Sequence, residues 1–210
     1  MFLPAASPSP DRPLPWPARP AGAARGRVGH WPLDPRAVAH FDAVLHRIHP
    51  QAPRVDADRM ATLGRWLLDL PSADARAVLD VRLARMEALR AMLADPDWDR
   101  RDAVCGRVRT LLAYLDQGAD LIPDAIPLLG LLDDVLLLEL AWPVLATEAE
   151  DYQDFCDYRA AARPPGDGAA RREAWIRDRL EALALFQHQA RVHASRYAEG
   201  GHPQRPFRVG

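Results

Sequence analysis

Every apolar run in this chain recurs at helical spacing, and a proline or glycine stands close to where most of these runs stop. "LDPRAVAHFDAVLHRIHP" offers Asp34 as an N-cap and Pro35 at the first helical position, and Val38, Phe41, Val44, Leu45 and Ile48 share one face before Pro50. "DADRMATLGRWLLDLP" predicts a second helix with Met60, Leu63, Trp66, Leu67 and Leu70, stopped by Pro71. Ser72 is the expected cap of a third helix, which carries Leu79, Leu83, Met86, Leu89 and Leu93 and ends before Pro96. A fourth runs from Trp98 to Gln117 with Val104, Val108, Leu111, Leu112 and Leu115, and Gly118 suits the left-handed residue that follows a helix. Thr147 and Glu150 make a capping-box pattern ahead of a helix that "RPPGDG" breaks. The last helix spans Ala169 to Glu199, with Trp175, Ile176, Leu180, Leu183, Phe186 and Val192 as its stripe. No segment sustains period-two alternation, β-branched residues are sparse, and no solenoid period repeats. The expectation is an all-α, compact bundle of about six or seven helices with no sheet.

A length of 210 residues favours one domain with a tail. Residues 1–32, rich in proline, alanine and arginine, cannot bury enough surface to offset their ordering entropy and read as a disordered tail rather than a signal peptide. Trp16 and Trp31 are the tail side chains able to dock, most commonly onto the chain's own domain. Residues 33–200 form the expected helical domain, and 201–210 a disordered C-terminus. Basic residues number 27 and acidic ones 29, for a net charge of −2, so no basic field points to nucleic acid. Every fixed positive side chain is arginine, which pairs carboxylates bidentately. Cys105 and Cys156 fit no metal or redox spacing, and two buried thiols in a reducing compartment are expected.

The oiliest stretch is "DLIPDAIPLLGLLDDVLLLELAW", and it holds carboxylates, prolines and a glycine. With Asp124 as N-cap, Pro127 falls in the first turn of a helix beginning at Ala125, where a missing N–H costs little. Ile122, before Pro123, is pushed extended. Asp120 and Asp124 then sit where side-chain oxygens satisfy free backbone N–H groups. Gly130, inside the helix, would leave a notch beside Asp133 and Asp134. Those two carboxylates need partners, because an unpaired buried charge costs several kcal/mol. Arg107 and Arg109 on the preceding helix are candidates, as are the backbone N–H groups of the "DLIPD" turn. A bilayer span is disfavoured, since Asp133, Asp134 and Glu139 outweigh the leucines on an insertion scale.

"AYLDQGADLIPDAIPLLGLLDDVLLL" resembles the motif of the YkvA-like family, a bacterial domain of unknown function. Tyr114, Asp120, Leu121, Ile122, Pro123, Asp124, Ile126, Pro127, Gly130, Asp133 and Asp134 carry the resemblance, within residues 111–140. Gly118 departs, standing where members usually have proline. The resemblance implies a helical hairpin built on the "DLIPD" turn and association with membranes. Glu139 and "TEAEDYQDF" interrupt the apolar stretch that would span one. It implies no reaction, cofactor or catalytic residue.

Four neighbouring aspartates raise the alternative of a divalent cation held by Asp124, Asp133 and Asp134, or of a metal-dependent enzyme. Their spacing is not that of an EF-hand, and no nucleophile, phosphate loop or Ser/His/Asp pattern accompanies them. His46 and His49, in "HRIHP", are expected to be solvent-exposed at a helix C-terminus, where the dipole favours them. The expectation is therefore a cofactor-free, non-enzymatic cytoplasmic protein that binds a protein partner or a membrane surface.

Overall fold

The computed structural model describes residues 9–16, 26–28, 30–99, 103–117, 121–123 and 126–199. They form α1 (Pro35–Ile48), α2 (Ala57–Asp69), α3 (Ser72–Ala94), α4 (Ala103–Leu115), α5 (Leu132–Ala141), α6 (Ala146–Ala162) and α7 (Gly168–Glu199). Among the described residues the architecture is all-α with seven helices, as the apolar spacing predicts. One exception is a two-residue ladder, β1 (Arg27–Val28) against β2 (Trp31–Pro32), antiparallel with Val28 opposite Trp31. The sequence reading, which expects no sheet, misses it because strands this short carry no periodicity.

Local chemistry explains most helix boundaries. Asp34 accepts from the Arg36 N–H at 3.0 Å with Pro35 at the first helical position, and Asp56 accepts from the Arg59 N–H at 2.9 Å. Val38, Phe41, Val44, Leu45 and Ile48 are all buried, so the stripe of α1 is the one its spacing predicts. Three helix starts differ here, besides that of α5. Pro71, not Ser72, precedes α3, and no side chain caps it. Trp98 and Asp99 are not helical, and α4 is described from Ala103. α6 begins at Ala146, which places Thr147 inside the helix instead of at its cap.

Chain contacts divide the protein into two compact units that meet between Gln153 and Asp154, within α6. The division cuts the single helical domain expected over 33–200. In the first unit, α5 is the central element and packs against α1, α3 and α4. Eight of its residues are buried, and Val135, Leu136, Leu137 and Leu138 are fully enclosed, which explains why this is the oiliest run. Each such leucine contributes roughly 1.5–3 kcal/mol of transfer free energy.

Residues 9–16, 26–28 and 30–32 correct the disordered-tail expectation. Leu14 and Val28 are buried. The Leu14 N–H donates to Glu139 Oε1 at 3.0 Å, and the Gly26 N–H donates to Asp58 Oδ1 at 2.8 Å. Gly64 of α2 makes room for the ladder, because a Cβ there would overlap Val28 Cγ1. The remaining tail residues, and 201–210, lie outside the described residues.

In the second unit, Asp167 Oδ1 accepts from the Ala170 N–H at the start of α7. Phe155 of α6 meets Trp175 of α7 edge to face at 5.8 Å. Trp175 Nε1 donates to Asp154 Oδ2 at 2.6 Å. The rest of the predicted α7 stripe is not core. Ile176, Leu180, Leu183 and Phe186 are 49, 61, 55 and 68% exposed.

Candidate functional site

The motif stretch does not form the helix its first prolines predict. Ile126 to Leu128 make a tight turn, Leu129–Leu131 form one 3-10 turn, and α5 starts only at Leu132. The Leu129 N–H reaches the Pro127 carbonyl at 2.8 Å across Leu128, whose φ is 65°. That conformation is costly for a branched side chain and is held in place by its surroundings. Gly130 falls within that 3-10 turn, with its N–H on the Ile126 carbonyl at 2.8 Å, and so lies ahead of the α-helix rather than inside it. Pro127 and the two residues after it break the regular i→i−4 ladder that a helix from Ala125 would need.

Asp133 lies in the first turn of α5 and is 1% exposed. Its Oδ2 accepts from the Leu121 N–H at 2.8 Å and the Ile122 N–H at 3.4 Å. The predicted alternative of "DLIPD" backbone donors is thus the geometry present. The carboxylate ties the extended turn to the helix start, where the helix dipole also favours negative charge. Asp134, on the same turn, is half-buried; the pKa of Arg90 is raised first by its hydrogen bond to Asp116 and least by the charge of Asp134. Arg90 itself makes a bidentate pair with Asp116, at 2.7 and 3.3 Å. Its hydrogen bond holds the Asp116 carboxyl below the usual aspartate range.

Arg107 is half-buried, whereas Arg109 is exposed and lines a groove of about 330 Å³ with His40, Arg47 and Tyr114. Asp120 and Asp124, the other two candidate aspartates, lie outside the described residues. Among the described residues, no group of three or more His, Cys, Asp or Glu side chains converges as metal ligands would. Cys105 is buried, Cys156 is half-buried, and no disulfide joins them.

The histidine expectation is corrected. His46 Nδ1 and Nε2 lie 2.7 and 3.1 Å from the carbonyls of Asp42 and Ala52. His49 Nδ1 is 2.9 Å from the Leu140 carbonyl at the end of α5. The Ala52 and Leu140 carbonyls lie outside or at the end of a helix, where a ring N–H can satisfy them, and both rings are half-buried rather than solvated.

A second charge in the first unit is as enclosed as Asp133, and sequence reasoning passes over it. Arg82 of α3 is 1% exposed, and its Nε donates to Glu139 Oε2 at 2.9 Å. Its Nη atoms donate to the carbonyls of Pro10 at 3.0 Å, Val78 at 2.8 Å and Arg12 at 2.9 Å. One guanidinium therefore joins α3, α5 and the N-terminal segment. A cleft of about 370 Å³ lies beside that segment, lined by Ser9, Arg12, Pro13, Pro15, Trp66 and Val78. The signal was present. Arg82 lies on the same helical stripe as Ala75, Val78, Leu79, Met86 and Leu89, and Glu139 is the one acid late in the leucine run.

The chemistry of this centre is fixation. Asp133 and Arg82 are committed to main-chain groups, and Glu139 to Arg82, Arg85 and the Leu14 N–H. Among the described residues, no helix is long and apolar enough to cross a membrane. No family model, no curated protein and no solved structure matches the chain.

Proposed function

We propose that this is a non-enzymatic helical interaction protein that engages a partner, protein or membrane surface, through α7. The observation that carries this reading is the row of Ile176, Leu180, Leu183 and Phe186, all about half exposed or more on one side of a long helix. Contiguous apolar surface of this kind on a folded chain marks contact with something else. The polar centre supports the same reading from the other direction, because Asp133 and Arg82 are already engaged in holding segments together.

The test is a comparison of Leu180→Asp and Leu183→Asp with the wild type. A docking face predicts unfolding free energies within about 0.5 kcal/mol of wild type. It also predicts loss of association in light scattering or of binding to anionic vesicles. Loss of several kcal/mol in both variants, with no change in association, would refute it. A rise of several degrees in Tm with magnesium or manganese, abolished by Asp133→Asn, would instead favour metal binding by the aspartates.

A further inference from the structure

From Arg177 to His193 almost every described side chain of α7 is exposed; Val192 alone is half-buried. In the second unit only Phe155 and Trp175 are buried among the described residues. Two buried aromatics do little to hold a 32-residue helix about 48 Å long. Helix stability in water comes mainly from packing an apolar face, and this helix has such a face without a cover.

The spacing says what kind of cover fits. Ile176, Leu180, Leu183, Gln187 and Ala190 follow a 4-3-4-3 progression, the repeat of a two-stranded coiled-coil seam. The side chain at the fourth position is polar, and the seam ends on a small one. Such a seam is most apolar at Leu180 and Leu183, near the middle of the helix.

We infer that α7 pairs antiparallel with α7 of a second copy of this chain, about a twofold axis near residues 181–182. This rests on the interaction reading above and names its partner. Leu180 of each copy then packs on Leu183 of the other, and Ile176 faces Gln187. Glu173 is brought beside Arg191 of the second copy, an opposite-charge contact. In the parallel arrangement Arg172 would instead face Arg177, a like-charge contact, so the charges select the antiparallel one. A twofold contact of this kind is self-complementary and closes, as isologous dimers do. Ile176, Leu180 and Leu183 on the seam, with Phe186 flanking it, expose roughly 400 Å² per copy, so the pair buries at most roughly 800 Å², the size of a weak, reversible contact. The dimer is accordingly a dissociable one, in the micromolar range.

The experiment is sedimentation equilibrium of the full chain across the micromolar range, for wild type, Leu180→Glu, Leu183→Arg and an equimolar mixture of the two variants. The expected result is a concentration-dependent dimer for wild type, monomers for each variant alone, and a restored dimer in the mixture. Only antiparallel pairing sets the two new charges opposite each other while leaving the second layer leucine on leucine. A wild-type monomer at every concentration overturns the inference, and so does a dimer that neither substitution weakens. Monomeric variants whose mixture stays monomeric overturn the antiparallel register. Thermal unfolding and vesicle binding of the same variants separate the two proposals. A wild-type monomer whose stripe variants keep their Tm but lose vesicle binding leaves the interaction reading standing without the dimer. A large loss of Tm in the variants at concentrations where wild type is itself monomeric refutes both, because the stripe would then be core of the single chain.

Discussion

Arg82 and Glu139 connect α3 to the central helix α5 through a 2.9 Å contact, with the guanidinium 1% and the carboxylate 15% exposed. The remaining donors of Arg82 are taken up by the Pro10, Arg12 and Val78 carbonyls, and Glu139 also receives the Leu14 N–H. The pair therefore fixes the N-terminal segment as well as the two helices.

Breaking this pair from one side should cost more than removing it whole. Arg82→Met leaves a carboxylate short of its closest partner and three carbonyls without their donor, and should lower the unfolding free energy by about 3–5 kcal/mol. Arg82→Met with Glu139→Leu should recover part of that loss, because no uncompensated charge remains. Urea unfolding of the two single variants and the double variant measures both effects.

Asp133 should act as a structural staple. Asp133→Ala strands the Leu121 and Ile122 N–H groups in a buried site and should cost about 1–3 kcal/mol, whereas Asp133→Asn keeps one acceptor and costs less. Hydrogen exchange should speed up at those two amides first. Unchanged exchange there in Asp133→Ala would contradict the staple.

Gly64→Ala should loosen the N-terminal ladder, because the new Cβ would overlap Val28. A cost of about 1–3 kcal/mol follows from overpacking. Combining it with Val28→Ala should restore part of the stability, as read by thermal unfolding.

The Arg90–Asp116 pair carries a pH dependence of defined sign. The hydrogen bond from Arg90 lowers the folded-state pKa of Asp116, so its stabilising contribution is present at neutral pH. It is lost as pH falls through that depressed value. The matching rise in the Arg90 pKa would remove stability only as pH climbs through a value above the ordinary arginine range. Asp116 is solvent-facing, so the effect on total stability is small and weakens with salt. A carboxyl NMR titration should find Asp116 ionising below ordinary aspartates, and Arg90→Gln should move it back up.

What the sequence alone determined is the helical architecture. The spacing of Val38, Phe41, Val44, Leu45 and Ile48, with Asp34 and Pro35 ahead of them, specifies α1 by local chemistry and needs no knowledge of neighbours. The leucine run of α5 likewise announces a central helix, since only full enclosure accommodates so many adjacent leucines. The candidate site was legible in part. Asp133 drew attention as a buried acid, but its donors, Leu121 and Ile122, are twelve and eleven residues away and become neighbours only when the turn folds back.

Tertiary structure alone decided the rest. Arg82 reads as a break in an apolar stripe until Glu139 and the Pro10 and Arg12 carbonyls surround it. Residues 9–16 look unable to order because composition counts only what a segment buries by itself, not the donors another helix presents to it. The α7 stripe has the same pattern as a core helix, yet Leu180 and Leu183 face outward. Periodicity records that a face is apolar. What covers it depends on which surfaces meet in three dimensions, and that is a property of the packed chain.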